Sequence, residues 1–187
     1  MNQKHGRISL FIGPMFSGKT SRVGDEVDRY HIANKNCIIV KYIDDNRYAG
    51  TSKNSLLTHS GREHRNVPVI QAATLEEVYD EISEYDVIGI DEIQFFDDNV
   101  EILQLLANSG KIVFCAGLDA NSNCKPFKRM GEVICICEDV IKLKAVCMAC
   151  CDSEASFSHK LVSNTEEVEI GSIDKYASLC RSCMFSV

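Results

Sequence analysis

The chain has 187 residues, 45% of them hydrophobic, enough for one ordinary domain or one core domain with a small appendage. Its formal net charge is −7 and no block of lysines or arginines stands out, so no nucleic-acid partner is expected. The first residues lead straight into a predicted strand, and no apolar run approaches the ~20 residues that span a bilayer; the expectation is a soluble, cytoplasmic protein with no membrane partner.

Residues 8–12, Ile-Ser-Leu-Phe-Ile, read as a buried strand. They run into Gly13-Pro14-Met15-Phe16-Ser17-Gly18-Lys19-Thr20. A glycine, four free positions and Gly-Lys-Thr is the spacing of a Walker A phosphate loop. Its glycines let successive backbone N–H groups point into one concavity at the start of the next helix, where phosphate oxygens bind. Lys19 is then placed to reach the terminal phosphates, and the Thr20 hydroxyl to ligate Mg²⁺. This is a nucleotide site.

From Ser21 to about Lys35 the pattern is helical, with Val23, Val27 and Tyr30 on one face and Gly24 weakening it. Residues 37–42 are a short run of buried-strand type. Residues 44–66 are polar and without period, and a loop of that length inside a compact domain is usually functional. Val-Pro-Val-Ile at 67–70 suits an edge strand, since proline cannot donate to a ladder. Thr74 and Glu77 have the spacing of a capping box, opening a helix with Leu75, Val78 and Ile82 on one face. Residues 86–92 form a buried strand ending in two carboxylates. Residues 99–108 read as helix stopped by Gly110, and 112–116 as the next strand. Cys37, Cys115, Cys135 and Cys137 sit singly in strand-like runs, as small buried apolar residues do. Strands alternating with helices predict an α/β fold: a P-loop, RecA-like core with a parallel sheet flanked by helices.

Asp91 ends an apolar strand downstream of the phosphate loop, the place of a Walker B aspartate that holds Mg²⁺ beside Thr20. Glu92 follows it, and consecutive strand residues point to opposite sides. Glu92 can therefore serve a different partner, as base for a hydroxyl that accepts a phosphoryl group.

Near residue 145 the composition shifts toward cysteine and small polar residues. The predicted division is 1–144 for the nucleotide-binding domain and 145–187 for a small metal domain, with strand-like pieces at 157–162 and 168–170. Cys147-Met148-Ala149-Cys150 and Cys180-Arg181-Ser182-Cys183 are two knuckles with 29 residues between them. Two such turns can set four thiolates around a structural Zn²⁺. Cys151 and His159 remain as spare ligand candidates.

Together these features resemble the type II thymidine kinases, the cytosolic and poxvirus-like family, from Gly13 to Cys183. The likeness lies in the phosphate loop, Lys41-Tyr42 with Asp45 and Arg47, Thr58-His59, and Ile88-Gly89-Ile90-Asp91-Glu92 with Gln94-Phe95-Phe96. It continues through Leu118-Asp119, Lys125-Pro126-Phe127, Ala145-Val146-Cys147 and Asp174-Lys175-Tyr176. The resemblance implies transfer of the γ-phosphate of ATP to the 5′-hydroxyl of thymidine, or of deoxyuridine, with Glu92 as base. It implies that residues 13–20, with Asp45 and Arg47, serve the ATP phosphates. Met15, Leu118, Ser158 and Tyr176 would line the thymine pocket between Phe95 and Phe127. A lasso loop carrying Val168, Glu169, Ile170 and Gly171 would hold the base through its main chain. A homotetramer inhibited by dTTP is implied as well. This chain departs from the family at residues 120–124, where Ser122 stands in place of an aromatic. One extra residue after Cys150 puts Ser158 where a threonine is common, and Gly171-Ser172 replaces a Gly-Gly pair. The alternatives are a kinase for another deoxynucleoside and a non-enzymatic P-loop and zinc-ribbon protein that binds nucleic acid.

Overall fold

The computed structural model describes residues 6–43, 67–161 and 175–185, together with the backbone of Leu56–Leu57 and Glu63–His64. Strand β1 (Arg7–Gly13) leads through the glycine loop into helix α1 (Lys19–Ile32), and β2 (Cys37–Tyr42) follows. A two-residue antiparallel pair comes next, β3 (Leu56–Leu57) with β4 (Glu63–His64). After β5 (Val69–Ala72), one 3₁₀ turn (Glu76–Val78) runs into the short α2 (Tyr79–Ile82). Then come β6 (Val87–Ile90), a 3₁₀ turn (Ile93–Phe95), α3 (Asn99–Asn108), β7 (Ile112–Leu118), α4 (Met130–Ile136) and β8 (Asp139–Lys142). The last elements are β9 (Ala145–Val146), β10 (Glu154–Ala155), β11 (Phe157–Lys160), β12 (Tyr176–Leu179) and α5 (Arg181–Phe185).

Six strands form one sheet in the order β5-β2-β6-β7-β1-β8, and every neighbouring pair is parallel. Strand alternation divides the core. Ile8, Leu10, Ile12, Ile88 and Ile90 pack with Leu75, Ile82, Leu103, Leu106 and Val133 from the 75–82 segment, α3 and α4. Phe11, Ile39, Val87 and Phe114 pack with Val23 and Val27 of α1 on the other face. Helix α1 approaches closely at Gly89, where a Cβ would lie 3.0 Å from methyls of both Val23 and Val27. Both faces are thus covered, as the long apolar strands require.

The predicted α/β sheet is the one observed, and β5 lies at its edge as its neighbouring proline requires. Asn99–Asn108 ends as expected, with Gly110 at φ 86° donating to the Ala107 carbonyl. Helix α1 stops at Ile32, short of Lys35, because Asn34 turns left-handed (φ 62°) and Lys35 N–H closes on Tyr30 O. The capping box is present, with Glu77 N–H donating to Thr74 Oγ1 at 3.4 Å and Ala73 N–H to Glu77 Oε1 at 2.5 Å. It opens a 3₁₀ turn and four α-helical residues rather than one continuous helix.

Two expectations are corrected. The run around Cys135 and Cys137 is not a strand: Cys135 is exposed on α4, and Cys137 forms that helix's C-terminal boundary. Only Met130 and Val133 of this seven-residue helix are buried, too few to print a helical period. The strand predicted at 86–92 ends at Ile90, so Asp91 and Glu92 lie beyond the pleat. Cys37 and Cys115 are buried as expected. Most of 44–66, with Asp45, Arg47 and Thr58-His59, lies outside the described residues; so does 162–174, with Val168, Glu169, Ile170 and Gly171.

Candidate functional site

The carboxyl ends of β1, β6 and β7 gather the candidate residues at one edge of the parallel sheet, where ligands of open α/β sheets bind. The phosphate loop starts at Gly13, whose φ of 146° and whose position beside Leu143 leave no room for a side chain: a Cβ would sit 2.4 Å from Leu143 O. Gly18 has φ 82° and stands immediately before α1. Between them Phe16 takes φ 63°, which a bulky residue adopts only at a cost. The Lys19 ammonium is buried and donates to Pro14 O at 2.7 Å. Thr20 Oγ1 donates to Asp91, 3.1 and 3.2 Å from its two carboxylate oxygens. This is the pairing that the Walker A and B spacing anticipates, assembled from residues 71 positions apart.

Glu92 differs from its sequence reading. It is separated from Asp91 by a left-handed residue conformation (φ 56°, ψ 43°), not by strand alternation. For a non-glycine residue this stores on the order of 1–3 kcal/mol, and such residues cluster at functional sites. The turn after it is well tied. Gln94 Nε2 donates to Glu92 Oε2 at 2.5 Å, Leu118 N–H donates to Gln94 Oε1 at 3.1 Å, and Asn99 Nδ2 donates to Ile93 O at 3.1 Å. Sequence reasoning gave Gln94 and Asn99 no role, because neither residue type carries a local signature of what it will meet.

The aromatic residues form one chain of contacts. Phe95 meets Phe127 edge-on with ring centres 6.1 Å apart, and Tyr42 packs against both Phe95 and Phe96 at 5.3 Å. Phe95, Phe127, Leu118 and Tyr176 are half-buried, while Met15 and Ser158 are buried. Met15 N–H donates to Ser158 Oγ at 2.9 Å, joining the phosphate loop to β11. A cavity of about 380 Å³ opens beside this contact, between residues 119–126 and 156–158, with Ile12 and Lys142 in its wall. Of the predicted thymidine residues that are described, only Ser158 lines it. Lys142 pairs with Asp119 at 2.7 Å across one side. Asn121 Oδ1 accepts the N–H groups of Asn123 and Lys125, each at 3.0 Å, which curls this loop.

The four predicted metal ligands converge. One ligand atom from each of Cys147, Cys150, Cys180 and Cys183 lies within 4.8 Å of the others. A tetrahedral zinc with Zn–S near 2.3 Å separates its sulfurs by about 3.8 Å, so the donor set fits that cation. Neither Cys151 nor His159 belongs to the cluster. The backbone is folded for it: Cys183 N–H donates to Cys180 Sγ, and Cys151 N–H to Cys147 O. N–H groups of Cys150 and Cys180 pull the Cys147 thiol down to about 6. Those of Asp152 and Ser153 lower Cys150, and contact with the neighbouring sulfurs, Cys180 first, holds Cys183 up to about 12. Shared negative charge among clustered thiols is what a divalent cation neutralises.

A sequence model of the family described as thymidine kinase matches residues 6–184. The chain belongs to the thymidine kinase family. It is 47% identical over 178 residues to the thymidine kinase of Variola virus, covering 95% of this chain and 96% of that one. To thymidine kinase 1 of Dictyostelium discoideum it is 42% identical over 184 residues, covering 98% of this chain and 79% of that one. The flagellar accessory protein FlaH from Methanocaldococcus jannaschii shares the fold alone, with a TM-score of 0.52 at 11% identity over 87% of this chain and 75% of that one. Membership of the thymidine kinase family makes the chain a phosphotransferase that uses ATP with Mg²⁺. No helix among the described residues is long and apolar enough to cross a membrane.

Proposed function

We propose that this chain transfers the γ-phosphate of ATP to the 5′-hydroxyl of thymidine, and of deoxyuridine, in the salvage of DNA precursors. The observation that carries the reading is the phosphate loop with Thr20 bonded to Asp91 and Glu92 in the adjoining left-handed turn, in a chain so close to named thymidine kinases. Backbone N–H groups of the loop from Gly13 to Thr20, apart from Pro14, which has none, cradle the phosphates, and Lys19 leaves Pro14 O to meet the transferred group. Thr20 and Asp91 would hold Mg²⁺, which neutralises phosphate charge. Glu92 takes the proton of the 5′-hydroxyl as its oxygen bonds to the γ-phosphorus; the bond to the bridging oxygen breaks and ADP leaves. Asp45 and Arg47 assist at the phosphates. The thymine lies among Met15, Phe95, Leu118, Phe127, Ser158 and Tyr176, and Val168, Glu169, Ile170 and Gly171 complete the proposed base-binding set.

Cys147, Cys150, Cys180 and Cys183 would hold a structural Zn²⁺, since four protein ligands leave no position for water. Residues 145–187 then act as a zinc domain beside a nucleotide domain of 1–144. By likeness to its family the protein is a cytoplasmic homotetramer inhibited by dTTP. The test is a screen of natural nucleosides with MgATP, reading monophosphate formation. Thymidine and deoxyuridine should be converted; activity confined to another nucleoside, or none, would overturn the reading.

Ser122 offers a test of base recognition. Base stacking on an aromatic side chain contributes about 1–3 kcal/mol, or about 5- to 150-fold in affinity. Ser122→Phe should therefore tighten thymidine binding with little change for ATP, measured as thymidine Kd and KM at saturating MgATP. Unchanged or weaker binding would mean that the curled 119–126 loop aims residue 122 away from the base.

A further inference from the structure

Gln94 lies two residues past Glu92, is buried, and bridges two elements. Its oxygen side meets the main-chain N–H of Leu118, at the end of β7. That N–H can only donate, so the amide has one allowed orientation: Oε1 toward Leu118 and Nε2 toward Glu92. Glu92 Oε2 therefore faces an N–H donor at 2.5 Å, which a proton on that oxygen would oppose. The bridge is confined on its far side as well. A Cβ on Gly117 would lie 2.9 Å from Gln94 Oε1 and 2.7 Å from Ile93 Cγ2, so glycine is what lets the amide reach β7. Asn99 holds the same turn through Ile93 O.

We propose that Gln94 is the positioning residue of the reaction. It aims the Glu92 carboxylate and ties that carboxylate to Leu118, the proposed neighbour of the base. The proposal rests on Glu92 being the base. The geometry explains how a carboxylate on a strained left-handed residue can keep one direction. Its own backbone does not favour that conformation, and a buried amide with both partners met supplies the restraint. The Leu118 link also means that a shift of β7 on base binding is felt at the carboxylate. Among the described residues, charged groups on the elements about this turn include Asp91 beside it, Asp97 and Asp98 after it, Lys19 on α1, Lys41 on β2 and Asp119 after β7.

The experiment compares the pH dependence of kcat for the wild type, Gln94→Glu, Gln94→Met and Glu92→Gln, with melting temperature and MgATP affinity recorded for each. Gln94→Glu still accepts from Leu118 N–H but places a second carboxylate against Glu92, and like charges sharing a site resist ionising together. The acid limb of its kcat profile should move up by about one pH unit or more, with turnover recovering toward the wild type above it. Gln94→Met keeps the length and loses the donor; kcat should fall about tenfold or more while thymidine KM stays within about twofold. A purely structural role would lower kcat equally at every pH and leave the limb in place. Coincident acid limbs in the wild type and Gln94→Glu overturn the proposal. If Glu92→Gln removes the limb and Gln94→Glu fails to move it, Gln94 is excluded and the base stands. If Glu92→Gln keeps the limb, the base assignment itself fails. Should neither Gln94 variant fold, the side-chain NH₂ resonances of Gln94 decide: they should shift in Glu92→Gln, and unchanged resonances exclude the contact.

Discussion

Glu92→Gln is expected to lower kcat for thymidine by about 10²–10⁴-fold, the usual contribution of a general base, with thymidine and MgATP affinities held within about threefold. The substitution keeps the size and removes only the capacity to take a proton. The turn can keep its hydrogen bond, because a glutamine at 92 can present its own oxygen to Gln94 Nε2. In the phosphate loop, Thr20 is bonded to Asp91 and Lys19 to Pro14 O. The effect should therefore fall on turnover alone. Steady-state rates with thymidine and direct measurement of both affinities check this. Turnover retained within about threefold would remove Glu92 from the proton step.

Cys180→Ser should release the metal and weaken the binding of both substrates. Among the described residues, the buried cluster of this region is Ala145, Cys147, Ala155, Ala177, Leu179 and Cys180: one large apolar side chain, three alanines and two of the metal ligands themselves. Burying one leucine contributes about 1.5–3 kcal/mol, whereas ordering a residue's backbone costs about 1–2 kcal/mol. Such a core cannot hold the segment without a cross-link. Phe16 packs against this same cluster and Met15 N–H donates to Ser158, so disorder here reaches the phosphate loop directly. Losing that hydrogen bond and its packing should weaken MgATP binding by about tenfold, alongside the loss of thymidine affinity. Elemental analysis should find one zinc per wild-type chain and less in the variant, and thermal melting should show an added low-temperature transition. A wild-type protein without zinc, or a Cys180→Ser protein with normal affinities, would contradict this account.

The features that the amino-acid order alone determined are those whose physics is local. A phosphate loop is eight consecutive residues, and its function follows from backbone N–H groups within that span, so Gly13 to Thr20 could be read directly. The sheet could be read because strands buried on both faces are continuously apolar, as in residues 8–12, 87–90 and 112–116. Each cysteine knuckle is a four-residue turn, legible singly. Helix α4 and the exposed β8 were not, being short and presenting little buried surface to create a period. Tertiary structure decided everything that depends on which distant residues become neighbours. Folding brought the two knuckles within 4.8 Å and excluded Cys151 and His159, although all six candidates had compatible chemistry. It also joined Thr20 to Asp91 across 71 positions. The left-handed turn at Glu92 and the Gln94 bridge to Leu118 were beyond the sequence for one physical reason. A strained backbone and a two-ended amide exist only when surrounding contacts impose them, and here those contacts come from β7 and Asn99.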